Sequence, residues 1–201
     1  MMGFKKTAML AMSAAALVFA AQANAETYKI DPASSTITWK ATKKVAGGHN
    51  GTIAVKEGQV EVSKKGEVTA GTVVGDLKQI VALDLQGTEH HAKFVGHMQS
   101  ADFFNVEKAG HDVATFKLTS VTKKGAQHIA KGDLTFNGKT NPIEFPLTFK
   151  VDKGVATGEG SLKVDRTKWD LKYGSGNFFK LAADKVINDE FELGFKLTAK
   201  K

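Results

Sequence analysis

The sequence has no cysteine. That excludes disulfides, thiolate metal sites, iron–sulfur clusters, haem attached through thioethers and a cysteine nucleophile. It has a single arginine, Arg166, although Lys and Arg together number 28. Bidentate reading of phosphate or guanine favours the guanidinium fork, so a dedicated nucleic-acid reader would rarely be built on lysine alone. There is no Gly-x-Ser-x-Gly elbow, no His-Glu-x-x-His pair and no phosphate-cradling Gly-x-x-x-x-Gly-Lys loop. Proline numbers only 3, and no linker, repeat or low-complexity run divides the chain. After Ala25 no apolar run is long enough to cross a bilayer as a helix. What is there is ordinary for a soluble globular chain: 201 residues, 42% hydrophobic, which argues against disorder and for one domain or two small ones.

The amino-terminal segment reads as an address. Lys5 and Lys6 precede an apolar run from Thr7 to Ala21, and Ala23-Asn24-Ala25 fits the small-x-small cleavage pattern. The alternative is a membrane anchor, but the run is short for a span of about 20 residues and no stop-transfer charges follow. We therefore expect a signal peptide over residues 1–25 and a single domain over 26–201, exported to the periplasm or otherwise secreted. Removing Lys5 and Lys6 with the leader takes the net charge from +7 to +5. A cysteine-free exported domain must be held by its core alone. A chain of this size can manage that, since it buries roughly 70% of its surface.

The remainder alternates with period two. Ile37, Trp39 and Ala41 interleave with Thr36, Thr38 and Lys40; Ala114, Phe116 and Leu118 interleave with Thr115, Lys117 and Thr119. Ile143, Phe145, Leu147 and Phe149 share one face, and Phe191, Leu193, Phe195 and Leu197 another. Lys64-Lys65-Gly66 reads as a hairpin turn, and Asn137-Gly138 is the favoured pair for a type I′ turn. Short strands separated by Gly-rich turns predict an all-β antiparallel sandwich or barrel. One stretch departs from alternation. Between Thr88 and Val106 the spacing of Phe94, His97, Met98 and Ala101 is closer to helical, with a short helix expected at Ser100–Phe104.

No constellation for chemistry stands out. Glu89, His90, His91 and His97 are adjacent or poorly spaced for convergence on one metal, so they are expected on a solvated loop. Gly174-Ser175-Gly176 reads as a turn, and Asp165, Asp170, Asp184, Asp189 and Glu190 show no sign of pairing. The lysines fall at alternate strand positions and in turns, a solvated outer face with at most a weak attraction to anionic surfaces. The aromatics are the stronger signal. An antiparallel barrel of about eight strands has an interior that side chains fill or that holds one small ligand. Closure would bring Phe116, Phe136, Phe145, Phe149, Phe191 and Phe195 round one enclosed volume, and Trp39, Phe94 and Phe103 complete the candidate lining. Periodicity leaves open whether that volume is packed or hollow.

Five blocks in order resemble the YceI-like family of exported bacterial proteins. They are Tyr28-Lys29-Ile30-Asp31-Pro32, His97-Met98-Gln99-Ser100-Ala101-Asp102-Phe103-Phe104, Ala114-Thr115-Phe116, Gly132-Asp133-Leu134-Thr135-Phe136-Asn137-Gly138-Lys139-Thr140, and Asp165-Arg166-Thr167-Lys168-Trp169. Met98 stands where that family has Leu. Ser34 stands where the opening motif often has His, and Thr88-Glu89-His90-His91 near the place of an Arg-Asp-x-His. The resemblance implies a lipocalin-like antiparallel β-barrel with a helical insertion near Ser100–Val106. It also implies a long apolar amphiphile, such as a polyisoprenoid, quinone or fatty acyl chain, held non-covalently in the interior. No other cofactor, no metal and no catalytic residue is expected, and a homodimer stays open. Arg166 is expected to be structural, bonded to carbonyls or a carboxylate near a barrel end. Two other readings stand beside this carrier. One is a packed-core exported stress or surface protein acting through partners. The other is an enzyme acting on a lipid, which would need a nucleophile or acid pair that the motifs do not supply.

Overall fold

A computed structural model describes residues 25–201. The leader expected over residues 1–25 therefore lies outside the described residues, Ala25 excepted. The strands are β1 (Ala25–Ile30), β2 (Thr36–Thr42), β3 (Gly48–Ser63), β4 (Val68–Ala82), β5 (Val113–Lys124), β6 (Gln127–Phe136), β7 (Lys139–Asp152), β8 (Val155–Asp165) and β9 (Glu190–Lys200). One α-helix, α1 (His90–Gln99), lies between β4 and β5. All strand pairs are antiparallel, and the β3–β4 pairing closes the sheet on itself.

The nine strands occupy eight positions round the barrel. β1 pairs with the late part of β3, from Gln59 to Ser63, and with the end of β9. β2 pairs with the early part of β3, from Gly48 to Ile53, and with the start of β9. The two are therefore halves of one staggered strand. Asp31 and Pro32 break it: the proline sets φ and donates no N–H, and the Asp31 carboxylate accepts from Ala33 N at 3.1 Å to start a short 3₁₀ turn.

The registers give the barrel two unlike ends. The upper end carries Ala25, the carboxy terminus and the short turns after β3, β5 and β7. The lower end carries the β2–β3 turn, the Asn137-Gly138 turn and the two long connections, 83–112 and 166–189. Asn137 and Gly138 both have positive φ, 50° and 70°, as a type I′ turn requires.

The helix is upstream of its expected position. Phe94, Val95 and Met98 pack on the core as their spacing suggests, but the helix ends at Gln99. Ser100 stops it: its N–H and its hydroxyl both donate to the His97 carbonyl, and its ψ of 175° is extended. The Ser100–Phe104 stretch, expected as a helix, is a turn. It leads into Asn105, whose φ is +50°. His90 and His91, expected on a loop, form the first turn of α1.

Candidate functional site

Along β7 the inward set Ile143, Phe145, Leu147, Phe149 and Val151 alternates with exposed Pro142, Glu144, Pro146, Thr148 and Lys150. Of the inward set only Phe145 is fully buried. The others keep partial accessibility because the barrel is not filled. An apolar cavity of about 190 Å³ lies inside the upper half. Phe116, Phe145, Phe149 and Phe195 line it, with Val73, Leu197 and other aliphatic side chains from every side of the barrel. Phe145 touches both Phe116 and Phe195, with ring centroids 5.4 Å apart in each pair. Glycines let the rings lie against the wall: at Gly160 an added Cβ would be 2.8 Å from Phe195 Cζ. An apolar void of this kind stays dry, as one of about 150 Å³ does elsewhere.

A second, larger cavity of about 610 Å³ occupies the lower end. Trp39, Phe94, Phe103, Phe104, Tyr173 and Phe191 contribute its aromatic lining. Its polar lining comes from Lys43, His49, His97, Arg166 and Lys185. The partition between the cavities is one layer of side chains. Ile53 borders both, and Ile37 and Leu193 line the upper cavity while packing with the cluster that contains Trp39. The Trp39 indole N–H is buried with no hydrogen-bond partner.

The two long connections meet across the lower end. Tyr173 packs against His97 and Phe103, with ring centroids 4.8 and 5.1 Å away. His97 lies 3.0 Å from the Asp102 carboxylate. His49 lies 2.8 Å from Asp84, which also accepts from Asn50 N at 3.0 Å. Burial acts to raise the Asp84 carboxyl, but the bonds from Asn50 and His49 outweigh it and hold the group below the usual carboxylate range.

Arg166 organises the second connection. It is 4% exposed and donates from Nη1 to the Leu171 and Tyr173 carbonyls at 2.6 and 2.8 Å. Nη2 donates to Ile187 O and Asp189 Oδ1, and Nε to Asn188 O. One guanidinium thus ties both arms of the 166–189 segment together. Burial pushes its pKa down from the usual value, and Asp189 and Asp165 act the other way. No donor is left over to serve a ligand.

The candidate lining thus divides three ways. Phe116, Phe145, Phe149 and Phe195 surround the upper cavity. Trp39, Phe94, Phe103 and Phe191 surround the lower one. Phe136 borders neither: it stacks on Trp169 at 4.8 Å and 11°, in a packed layer where Trp169 Nε1 donates to Leu134 O at 3.0 Å. The idea of one shared volume is corrected by the layer of Ile37, Ile53 and Leu193, which packs with the Trp39 cluster between the two cavities. Counting aromatics also missed the aliphatic wall, which the inward positions beside each Phe could have supplied. Phe104 could have been found beside Phe103, whereas Tyr173, Phe179 and Leu181 sit in a segment without periodicity. Among the described residues no group of three or more His, Asp or Glu side chains converges as metal ligands.

Residues 28–199 match the family described as YceI-like domain. The chain belongs to the YceI-like family. A UPF0312 protein of Vibrio cholerae is 34% identical over 149 residues, 72% of this chain and 74% of its own. A UPF0312 protein of Photorhabdus laumondii is 43% identical over 54 residues, and there the alignment spans only 27% of each chain. Among solved structures, Burkholderia cenocepacia BcnA superposes with a TM-score of 0.66 at 19% identity, covering 85% of this chain and 99% of its own. A polyisoprenoid binding domain from Saccharophagus degradans superposes with a TM-score of 0.62 at 17% identity, covering 86% and 97%. At these identities the structural likeness establishes the fold, a YceI-like closed antiparallel barrel with one helix. Among the described residues no helix is long and apolar enough to cross a membrane.

Proposed function

We propose that this YceI-like barrel is an exported carrier for a long-chain apolar amphiphile of the polyisoprenoid, quinone or fatty acyl type, and not an enzyme. The observation that carries this reading is the unfilled apolar interior framed by Phe116, Phe145, Phe149 and Phe195. The Saccharophagus degradans neighbour, a polyisoprenoid binding domain, supports the same class of cargo.

The cavities differ in polarity, which gives the cargo a direction. Its tail enters the upper cavity, and its head stays in the lower one near Lys43 and Lys185. The upper cavity alone is below the roughly 300–1,000 Å³ of usual ligand sites. A long chain must therefore occupy both, and the Trp39 layer must shift. Trp39 leaves its seat without losing a hydrogen bond, because its N–H has none. Length also matters energetically. Each buried methylene contributes about 0.8 kcal/mol, against about 4–15 kcal/mol lost on association. A short metabolite would not overcome that in a tunnel with few polar contacts.

The test is a chain-length series of prenols or quinones added to solvent-stripped protein. Melting temperature should rise with each added isoprene unit until the cavities are full. A melting temperature indifferent to chain length would end the carrier reading and favour the packed-core protein that acts through partners. Export is tested separately, by amino-terminal sequencing of periplasmic protein, which should begin at Glu26.

A further inference from the structure

The large hydrophobic side chains left exposed are not scattered. Val45, Leu83, Tyr173, Phe178, Phe179 and Leu181 are between 41% and 63% exposed. Val45 is in the β2–β3 turn, Leu83 follows β4, and the other four are in the 166–189 connection, so all six lie at the lower end of the barrel. Among the described residues the upper end exposes no large hydrophobic side chain. Scattered exposed apolar residues need no explanation, but their segregation to one end marks an interaction surface.

The two segments that carry five of these six residues are mainly positive, although Lys172 pairs with Asp170 at 2.9 Å and Lys185 with Asp184 at 3.4 Å. Segments 43–47 and 172–185 hold Lys43, Lys44, Lys172, Lys180 and Lys185 against one acid, Asp184. Lys44 N donates to Val186 O, which brings the two segments together. Lys172 Nζ lies 5.0 Å over the Phe178 ring. Aromatic side chains among lysines suit the boundary between acyl chains and anionic headgroups, where rings enter and ammonium groups stay in the headgroup layer. Lys43, Phe179, Leu181 and Lys185 also line the lower cavity. Ala25, where the described residues begin, lies at the opposite end.

We propose that the lower end docks on an anionic phospholipid membrane through Val45, Phe178, Phe179 and Leu181 and the lysines around them, with the lower cavity opening toward the bilayer. Cargo would then pass between bilayer and barrel without crossing water. That consequence rests on the carrier reading, whereas the patch and its charge do not.

The experiment is cosedimentation of the purified protein with vesicles of phosphatidylglycerol and phosphatidylethanolamine, and with phosphatidylcholine vesicles. Val45→Ser/Phe178→Ser removes exposed apolar groups that line neither cavity. Lys43→Glu/Lys44→Glu and Lys64→Glu/Lys65→Glu make the same charge change at the lower and upper ends. The wild type should prefer the anionic vesicles and be released by salt. Both lower-end variants should bind about tenfold more weakly or worse, and the upper-end variant should stay within about threefold of wild type. Three results would overturn the proposal. One is no binding to anionic vesicles. Another is equal loss in the two lysine variants with Val45→Ser/Phe178→Ser unaffected, which is unspecific charge attraction. The third is a dimer that Val45→Ser/Phe178→Ser abolishes in a protein that ignores vesicles, since a second copy then covers the patch. The chain-length melting series on the same wild-type protein is a separate readout, so a failed cargo and a failed docking surface are distinguishable.

Discussion

Filling the upper cavity should stabilise the protein and weaken its cargo binding. Gly158 lies on the inward face of β8, between Ala156 and Gly160, and borders the cavity. A Cβ added there would meet only Leu147 Cδ1, at an ordinary 3.8 Å, and Gly158 is not among the positive-φ glycines. Gly158→Leu therefore places an isobutyl group in the void. Burying a leucine side chain contributes roughly 1.5–3 kcal/mol. Fixing its rotamer costs about 0.5–1 kcal/mol, and replacing a strand glycine returns about 0.5–1 kcal/mol. The net gain is about 1–3 kcal/mol, a rise of about 2–10 °C in melting temperature for a domain this size. The cargo series should show the opposite, with a smaller shift at every chain length, because the tail has lost its seat. The assay is a thermal melt of stripped wild type and variant, repeated with a long-chain prenol. In a packed interior the same substitution would cost about 1–3 kcal/mol through overpacking. A fall in the stripped melting temperature would therefore refute a hollow barrel by its sign alone.

Three further expectations follow from the same geometry. Phe149→Ala, at a cavity wall where the ring keeps partial accessibility, should cost about 2 kcal/mol in urea melts, whereas Phe136→Ala, stacked on Trp169, should cost about 3–5 kcal/mol as for a packed ring; equal costs would remove the distinction. Arg166→Lys cannot reach the carbonyls of Leu171, Tyr173, Ile187 and Asn188 together, and should lower stability by about 2 kcal/mol or more, or about 4–8 °C; an unchanged melting temperature would contradict its structural role. The Asp84 carboxyl has a lowered pKa in the folded state, so its contribution is present above an unfolded value of about 4 and is lost as pH falls through the folded value. Asp84→Asn should therefore lower the urea midpoint at neutral pH and flatten the decline in acid, and a variant with an unchanged acid limb would show that Asp84 is uncoupled.

The barrel was legible because its strands are amphipathic. Ile143, Phe145, Leu147 and Phe149 alternate without interruption, and Asn137-Gly138 permits only a narrow set of turns. The broken first strand was not separated in advance, since Asp31-Pro32 leaves the alternation intact on both sides. The helix was legible from Phe94 and Met98, but its end depended on Ser100 bonding back to His97, which residue spacing does not report. Phe116, Phe145, Phe149 and Phe195 were readable as inward residues. Whether they met in the middle was not, because a period-two pattern fixes which way a side chain faces and not how far the opposite wall is. The lower cavity was harder still. Its lining comes from two long connections without periodicity, brought together by Arg166 and by the contact of His97 and Phe103 with Tyr173.

The most direct measurement is native mass spectrometry of the protein purified without detergent, followed by organic extraction of the same sample. A loaded barrel gives a discrete excess over the polypeptide mass, lost on extraction, and one class of long-chain amphiphile in the extract. A bare polypeptide mass, with an extract free of any such lipid, would contradict the carrier reading.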